Sequence, residues 1–447
     1  MTEKLLQLSK SAADIIKSFP KKTKIRVVSH YDADGITAAS IISKALYREG
    51  YNFHATLMRN PFDKGLERVS KEDNDLIIFT DMGSGQINTI EKMNCKSIII
   101  DHHQFRKEKT SENVLQINAN LCDINGNYEA CGATLTYILA KTLNPKNKDL
   151  IGLAIVGATG DKQYIGGFRG FNKQLIDEAL KEGLISEKIG LKLNGENLFD
   201  ALFFSIDPYY SGISGNKKAI KDLFKKLEIN EEIKFKELNE EQRNKLQSYL
   251  MFILIKKDLE NNILETIIRP RYFSENIDFE FERFADLIDS CGKGGDRGLG
   301  FSVAMGDKTS FEKALKHEKE CKEKILNELL RLEAEGFKEK KAIRYFYSND
   351  SSLGGVIGGI AMNFILDREK ALLSLVKSND ELHVSCRGTQ YLVGRGLNLG
   401  EAMKEASNKL DGIGGGHAIA SGATIKGDKE EEFLEIVDSI IIQQLKG

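Results

Sequence analysis

The chain has 447 residues, of which 41% are hydrophobic and 29% charged, a balance that excludes a disordered or fibrous protein and gives about three domain-lengths. The 64 basic against 66 acidic side chains leave a net charge of −2, so no global cationic field draws in nucleic acid and a polyanion site has to be local. No apolar run approaches the roughly 20 residues of a membrane-spanning helix. Six cysteines without a C-x-x-C pair exclude a disulfide scaffold or a zinc ribbon, and a reduced cytoplasmic compartment is expected.

Met1 to Phe19 interleaves lysines and acids among its leucines and lacks the continuous apolar stretch of a secretory signal. From Lys24 to about Phe204, apolar β-rich runs alternate with helical patterns. Ile25–Ser29, Leu76–Thr80 and Ser97–Ile100 are short, continuous and bounded by polar turns, as buried parallel strands are. Helices are expected over Thr37–Arg48 and Ile87–Met93, so the fold class is α/β with a parallel sheet. The apolar run Leu150–Val156 fits a strand or a helix equally. Lysine and glutamate dominate Lys217–Lys257, which predicts a mainly helical insertion. Phe311, Leu315, Cys321, Ile325, Leu329 and Leu332 then recur near helical spacing up to Gly336, as in a long amphipathic helix able to join two domains. The last hundred residues return to the α/β style, with strands near Ala342–Tyr347, Ala371–Val376 and His383–Arg387.

Four places carry chemistry, and three of them follow an apolar strand directly. They are Ser29-His30-Tyr31-Asp32-Ala33-Asp34-Gly35, Asp81, Asp101-His102-His103, and Gly157-Ala158-Thr159-Gly160-Asp161. Ligands of open parallel sheets bind beyond the carboxyl ends of the strands, so these side chains are expected in one crevice. Singly, each has a bland reading: Asp-x-Asp-Gly is most often a turn, and a lone Asp can cap a helix. Jointly, Asp32, Asp34, Asp81, Asp101 and Asp161 would repel one another unless cations neutralised them. Oxygen and nitrogen donors without thiolates suit Mn²⁺ or Mg²⁺, and two such ions would serve phosphoester hydrolysis.

The ordered set H-x-D-x-D-G, a lone Asp after a strand, D-H-H and G-A-T-G-D resembles the DHH phosphoesterase superfamily over roughly the first 170 residues. Gly414-Gly415-Gly416-His417, running on to Ser421, is similar to the G-G-G-H signature of the DHH-associated domain, and Ser385-Cys386-Arg387-Gly388 to that domain's S-x-R turn. Asp32-Ala33-Asp34-Gly35-Ile36-Thr37-Ala38 and the Ser290–Gly300 segment resemble RecJ-type single-strand exonucleases. His30 and the charged insertion look more like the archaeal RecJ-like proteins. Cys122 and Cys131 have no ligand spacing and read as small core residues, and Gly354–Gly359 reads as close helix packing.

The resemblance implies two Mn²⁺ ions, or Mg²⁺, with Asp81 bridging them. Asp32 with His30 would hold one ion; Asp34, His102 and Asp161 would hold the other. It further implies that His103 faces the scissile phosphate, that Asp101 orients His102, and that Arg387, Gly414, Gly415, Gly416, His417 and Ser421 hold a nucleotide. The expected organisation is a two-lobed α/β phosphoesterase: a catalytic domain (1–207), a helical insertion (208–272), a closing segment with a long connecting helix (273–337) and a substrate-binding domain (338–447). The implied activity is exonucleolytic hydrolysis of single-stranded DNA or RNA in repair, replication or RNA processing, 5′ to 3′ on DNA or 3′ to 5′ on RNA. A GINS-type replisome partner belongs to the same implication, while no membrane is expected because no apolar run is long enough to span one. The alternatives are a phosphodiesterase for short oligonucleotides or cyclic dinucleotides, and a catalytically silent replication scaffold.

Overall fold

The computed structural model describes residues 2–59, 64–195, 197–230, 233, 237–257, 259, 261–277, 279–350 and 353–446. The chain forms two compact units, Met1–Gly190 with Arg269–Lys319, and Leu191–Ile268 with Glu320–Gly447. None of the described helices is long and apolar enough to cross a membrane.

The first unit is built on five parallel strands, β1 (Ile25–His30), β2 (Phe53–Met58), β3 (Leu76–Thr80), β4 (Lys96–Asp101) and β5 (Val114–Asn118), in the order β2-β1-β3-β4-β5. β1, β3 and β4 are the three apolar runs expected, buried along nearly their whole length. The chain leaves β1 for β2 on one side and returns to β3 on the other. The winding therefore reverses between β1 and β3, where open sheets form their ligand crevice.

Three helices pack against one another beside this sheet: Ala33–Arg48, Gly132–Leu143 and Ile151–Gly160. The first begins straight after β1 because the Asp32 carboxylate accepts the Gly35 N–H at 3.0 Å and caps it. The run that fitted strand or helix is the third of these, buried from Ile151 to Thr159, and a helix apolar on every side has no period to read. A helix over Glu3–Ser18, capped by Thr2, buries Leu5, Ala12, Ala13 and Ile16 and was not expected. Nor were β2 and β5.

β6 (Ser186–Leu191) and β7 (Ile268–Phe273) pair as a separate two-stranded sheet. The second unit holds a mixed sheet of β8 (Lys338–Glu339), β9 (Ile343–Tyr347), β10 (Ala371–Ser378), β11 (Glu381–Arg387), β12 (Ile413–Gly416) and β13 (Ala420–Lys426), in the order β12-β13-β11-β10-β9-β8. Only β9 and β10 pair in parallel. The lysine- and glutamate-rich region carries helices Lys217–Leu227 and Glu240–Ile255, while 231, 232 and 234–236 lie outside the described residues. Their Leu223, Phe224, Leu246 and Leu250 share a core with Leu326 and Leu329 of the long helix Lys308–Glu335 and with Ile357 and Phe364. The Gly354–Gly359 run opens a helix, Gly354–Phe364, as the packing reading expected.

Candidate metal centre

The first unit gathers the acids and imidazoles at the carboxyl ends of β1, β3 and β4. His30 is the last residue of β1, and Asp32 and Asp34 lie in the turn and first helical turn that follow. Asp81 follows β3 in a left-handed backbone conformation (φ 55°) that few residues other than glycine adopt, held there by its N–H donating to the Ile100 carbonyl at 2.8 Å. Asp101 ends β4, with His102 and His103 next, and Asp161 closes helix Ile151–Gly160.

Two separate sets of three donors result, His30–Asp32–Asp81 and Asp34–His102–Asp161, each compact enough to surround one cation; a third, Asp81–His102–His103, takes one donor from each and adds the exposed His103. In the first, His30 Nδ1 stands 2.8 Å from Asp32 Oδ2 and 3.5 Å from Asp81 Oδ2. In the second, His102 Nε2 stands 3.3 Å from Asp161 Oδ2 and 3.7 Å from Asp34 Oδ2. The other oxygen of Asp81, Oδ1, lies 3.2 Å from that same His102 Nε2. Asp81 thus offers one oxygen to each set. His30 Nδ1 and Asp81 Oδ1 are buried and make no hydrogen bond of good geometry, which fits donors aimed at a shared cation.

The surrounding contacts fix these groups. Asp34 Oδ2 accepts the Gly132 N–H at 2.7 Å and Oδ1 the Ala133 N–H at 2.8 Å, so the start of helix Gly132–Leu143 clamps its carboxylate. Only glycine permits this approach at 132, where a Cβ would come within 2.6 Å of Asp81 Cβ. His102 Nδ1 faces the Gly126 carbonyl at 2.6 Å, which leaves Nε2 turned to the carboxylates. Gln163 Nε2 donates to that same carbonyl at 3.1 Å.

Asp101 differs in part from what the resemblance implied. It meets His102 only through the backbone N–H (2.8 Å), and its ring contact is with His103, Nδ1 to Oδ1 at 2.8 Å. Its other oxygen accepts the Ser84 N–H at 2.9 Å. The His103 ring is exposed, with Nε2 on the side away from Asp101. Cys122 and Cys131 are buried as expected, and Cys131 also caps helix Gly132–Leu143 beside Asp34.

The electrostatics describe a cluster that collects positive charge. Burial works against a charged His30, but the close carboxylates of Asp32 and Asp81 outweigh it and push the imidazole up to about 11. His102 is likewise held well above its ordinary value against burial, chiefly by Asp81. Burial and the Asp81 charge push Asp34 up to about 7. Burial and the Asp34 charge raise Asp161 as well. Asp81, despite burial, is drawn below the usual carboxylate range by His102 and His30. Carboxylate and imidazole donors without a thiolate in either set fit a hard divalent cation.

The remaining expected residues belong to the second unit. Arg387 ends β11, half-buried, and its guanidinium donates to the Cys386 carbonyl at 2.9 Å. Burial lowers it below the ordinary arginine value. It lies against helix Gly354–Phe364, where a Cβ on Gly355 would come within 2.6 Å of its Nη2. Gly414, Gly415 and Gly416 form β12, an edge strand on β13. His417 is exposed, and its N–H donates to the Ala420 carbonyl at 2.9 Å to close the turn between them. Ser385 pairs with Gly422, which pairs with Gly415, so Gly415 shares the face of Arg387. Ser421 pairs with Cys386 and Gly416 and points to the opposite face, buried, its hydroxyl without a hydrogen-bond partner.

Family models match the chain in three stretches: the DHH family, N-terminal domain, over residues 24–158, archaeal Cdc45 over 167–294 and the DHHA1 domain over 342–443. The uncharacterized protein MJ0831 of Methanocaldococcus jannaschii is 31% identical over 458 residues, covering 100% of both chains. The single-stranded-DNA-specific exonuclease RecJ of Thermus thermophilus is 26% identical over 203 residues, which cover 42% of this chain and only 29% of that relative. Among solved structures, exonuclease RecJ bound to manganese superimposes with a TM-score of 0.62 at 15% identity, over 97% of this chain and 94% of that one. CDC45 from Entamoeba histolytica superimposes with a TM-score of 0.67 at 14% identity over 98% of both. The two superpositions establish the fold.

Proposed function

The chain belongs to the DHH family and carries a DHHA1 domain, and from that premise we propose a phosphodiester hydrolase that shortens single-stranded DNA or RNA from an end with the help of two divalent cations, Mn²⁺ or Mg²⁺. The observation that carries this reading is the shared Asp81, with one oxygen 3.2 Å from His102 and the other 3.5 Å from His30. His30, Asp32 and Asp81 would hold one cation; Asp34, His102 and Asp161, with Asp81, would hold the other. Cations bound there supply a nucleophilic water at neutral pH and offset the phosphate's charge.

The chain's own groups do the rest. His103, its Nδ1 turned to Asp101, presents Nε2 to a phosphate oxygen and stabilises the charge that develops on it. Asp101, anchored by the Ser84 N–H, keeps that ring in place. In the second unit Arg387, with Gly414–Gly416 and His417, holds a nucleotide; Ser421, buried on the opposite face of the sheet, is left out of that grip. The reading takes 5′ to 3′ polarity on DNA, with 3′ to 5′ trimming of RNA as its variant, and a cytoplasmic role in repair, replication or RNA processing.

The archaeal Cdc45 match over residues 167–294 favours a second reading, a replication scaffold without hydrolysis and with a GINS-type partner. Two complete donor sets weigh against it, because a buried carboxylate cluster is costly to keep without a task. End-labelled DNA and RNA strands of graded length, incubated with Mn²⁺, separate the readings. Stepwise shortening of long strands supports the exonuclease, and cleavage confined to dimers to pentamers moves the assignment to a short-oligonucleotide phosphodiesterase. A metal-loaded protein that cleaves nothing leaves the scaffold.

A further inference from the structure

Beyond Arg387 the second unit carries a cationic and aromatic cluster that the metal chemistry does not use. The Arg368 guanidinium lies over the Tyr391 ring at 4.7 Å and the Arg395 guanidinium over the same ring at 5.5 Å. Arg395 Nη1 also donates to the Tyr391 hydroxyl at 3.2 Å. Thr389, two residues past Arg387, ties the cluster to the end of β11 by donating its hydroxyl to the Arg368 carbonyl at 3.3 Å. Tyr391 lies four positions after Arg387, so their Cα atoms are at most about 14 Å apart. The carboxylate facing Arg395 is Glu369, at 3.8 Å, longer than a hydrogen bond and about half exposed like its partner. An ion pair of that kind costs little to open.

We propose that Arg368, Tyr391 and Arg395 continue the nucleotide grip of Arg387 into a track for further nucleotides of a single strand, which makes the substrate a strand of several nucleotides rather than a dinucleotide. The inference rests on the nuclease reading above and adds the length of strand that the second unit engages. Guanidinium groups stacked on an aromatic ring present flat faces to bases and N–H edges to phosphates. Base stacking on aromatic and arginine planes tolerates any sequence, as an exonuclease substrate demands.

The test compares a labelled 12-nucleotide strand with a dinucleotide, titrated onto the full chain in Ca²⁺ at several salt concentrations. Arg368→Ala with Arg395→Ala is expected to weaken binding of the 12-mer about 10- to 100-fold. Without these two phosphate-binding groups its salt dependence should also become shallower, by about 1.4 in log–log slope. Dinucleotide affinity should change less than twofold. Arg395→Glu, at an exposed position that leaves folding intact, should weaken the 12-mer alone by at least tenfold. Equal weakening for both ligands, or unchanged affinity for the 12-mer, overturns the track while leaving the nuclease reading in place. Wild-type protein that binds neither ligand overturns both.

Discussion

The Asp34 carboxylate accepts the Gly132 N–H at 2.7 Å across 98 residues of chain, so an acid at the start of one helix also caps the start of another. The same group belongs to a three-donor set with His102 and Asp161. Asp34→Asn and Asp34→Ala both remove the charge, and only Asn keeps an oxygen, enough for one of the two amide donors. In the presence of a chelator, Asp34→Asn should be more stable than Asp34→Ala by about 1–2 kcal/mol. Equal unfolding midpoints in denaturant would show that the clamp contributes nothing.

Asp81 is the group that both donor sets share. Asp81→Asn keeps the side-chain size and tolerates the left-handed backbone, so the fold should survive. Metal analysis is expected to fall from two Mn²⁺ per chain to one or none, and strand cleavage to background. Two retained ions with near-normal turnover would refute the bridging role.

The site was legible in the sequence where residue type and local spacing carry it, and illegible where the backbone does. His30, Asp32, Asp34, Asp81, His102 and Asp161 each sit at the end of a run whose apolar pattern marks a strand or buried helix. Carbonyl and amide partners have no such signature: any residue could supply the Gly126 oxygen that faces His102 or the Ala133 N–H that meets Asp34. Asp101 shows the same limit, since neighbouring His102 and His103 compete for it and only the chain's path after β4 decides which ring it meets. In the second unit the facing of Ser421 depends on the register of β13 against β11, which a shift of one residue would reverse and which residue type alone does not mark. β2 went unread because Phe53–Met58 is only partly buried and lacks the continuous apolar run that marked its neighbours.

Asp101 and His103 separate binding from chemistry. His103→Ala should retain two ions per chain and lose most of kcat, because His30–Asp32–Asp81 and Asp34–His102–Asp161 keep all their donors without it, although His103 Nδ1, paired with Asp101, also lies near Asp81 and His102. Asp101→Asn should slow turnover by about 10–100-fold by loosening that ring. An ion missing from the His103→Ala protein would make His103 a metal ligand.

Away from the site, Arg26 is buried in β1 and donates through Nε to Glu72 at 2.8 Å, through Nη1 to the His54 carbonyl at 3.0 Å and through Nη2 to Thr56 at 2.7 Å. The Arg26 hydrogen bond, against a smaller effect of burial, holds Glu72 below its ordinary value of 4.5. A carboxylate depressed in the fold contributes stability that is complete above its unfolded value and is lost as pH falls through the folded one. Stability should therefore drop below about pH 4.5 more steeply in the wild type than in Arg26→Met, by about 1 kcal/mol given the partial exposure of Glu72. Denaturant titrations with chelator at several acidic pH values measure the difference, and parallel curves would dissociate the pair from acid sensitivity.

Arg387 tests the second unit's grip on a nucleotide. Its guanidinium is half-buried, donates to the Cys386 carbonyl, and lies so close to Gly355 that a methyl group there would displace it. A charge-assisted phosphate contact from such a group is worth about 1.5–3 kcal/mol. Arg387→Ala should then weaken single-strand binding in Ca²⁺ by roughly 10–150-fold. With one phosphate fewer neutralised, the log–log salt slope should fall by about 0.7. Metal stoichiometry should be unchanged, since none of the donor atoms belongs to the second unit. Gly355→Ala should weaken binding in the same direction with Arg387 still present, because the added methyl pushes the guanidinium aside. Wild-type affinity and salt slope in both variants would make Arg387 an ordinary surface charge and move the nucleotide grip to other residues.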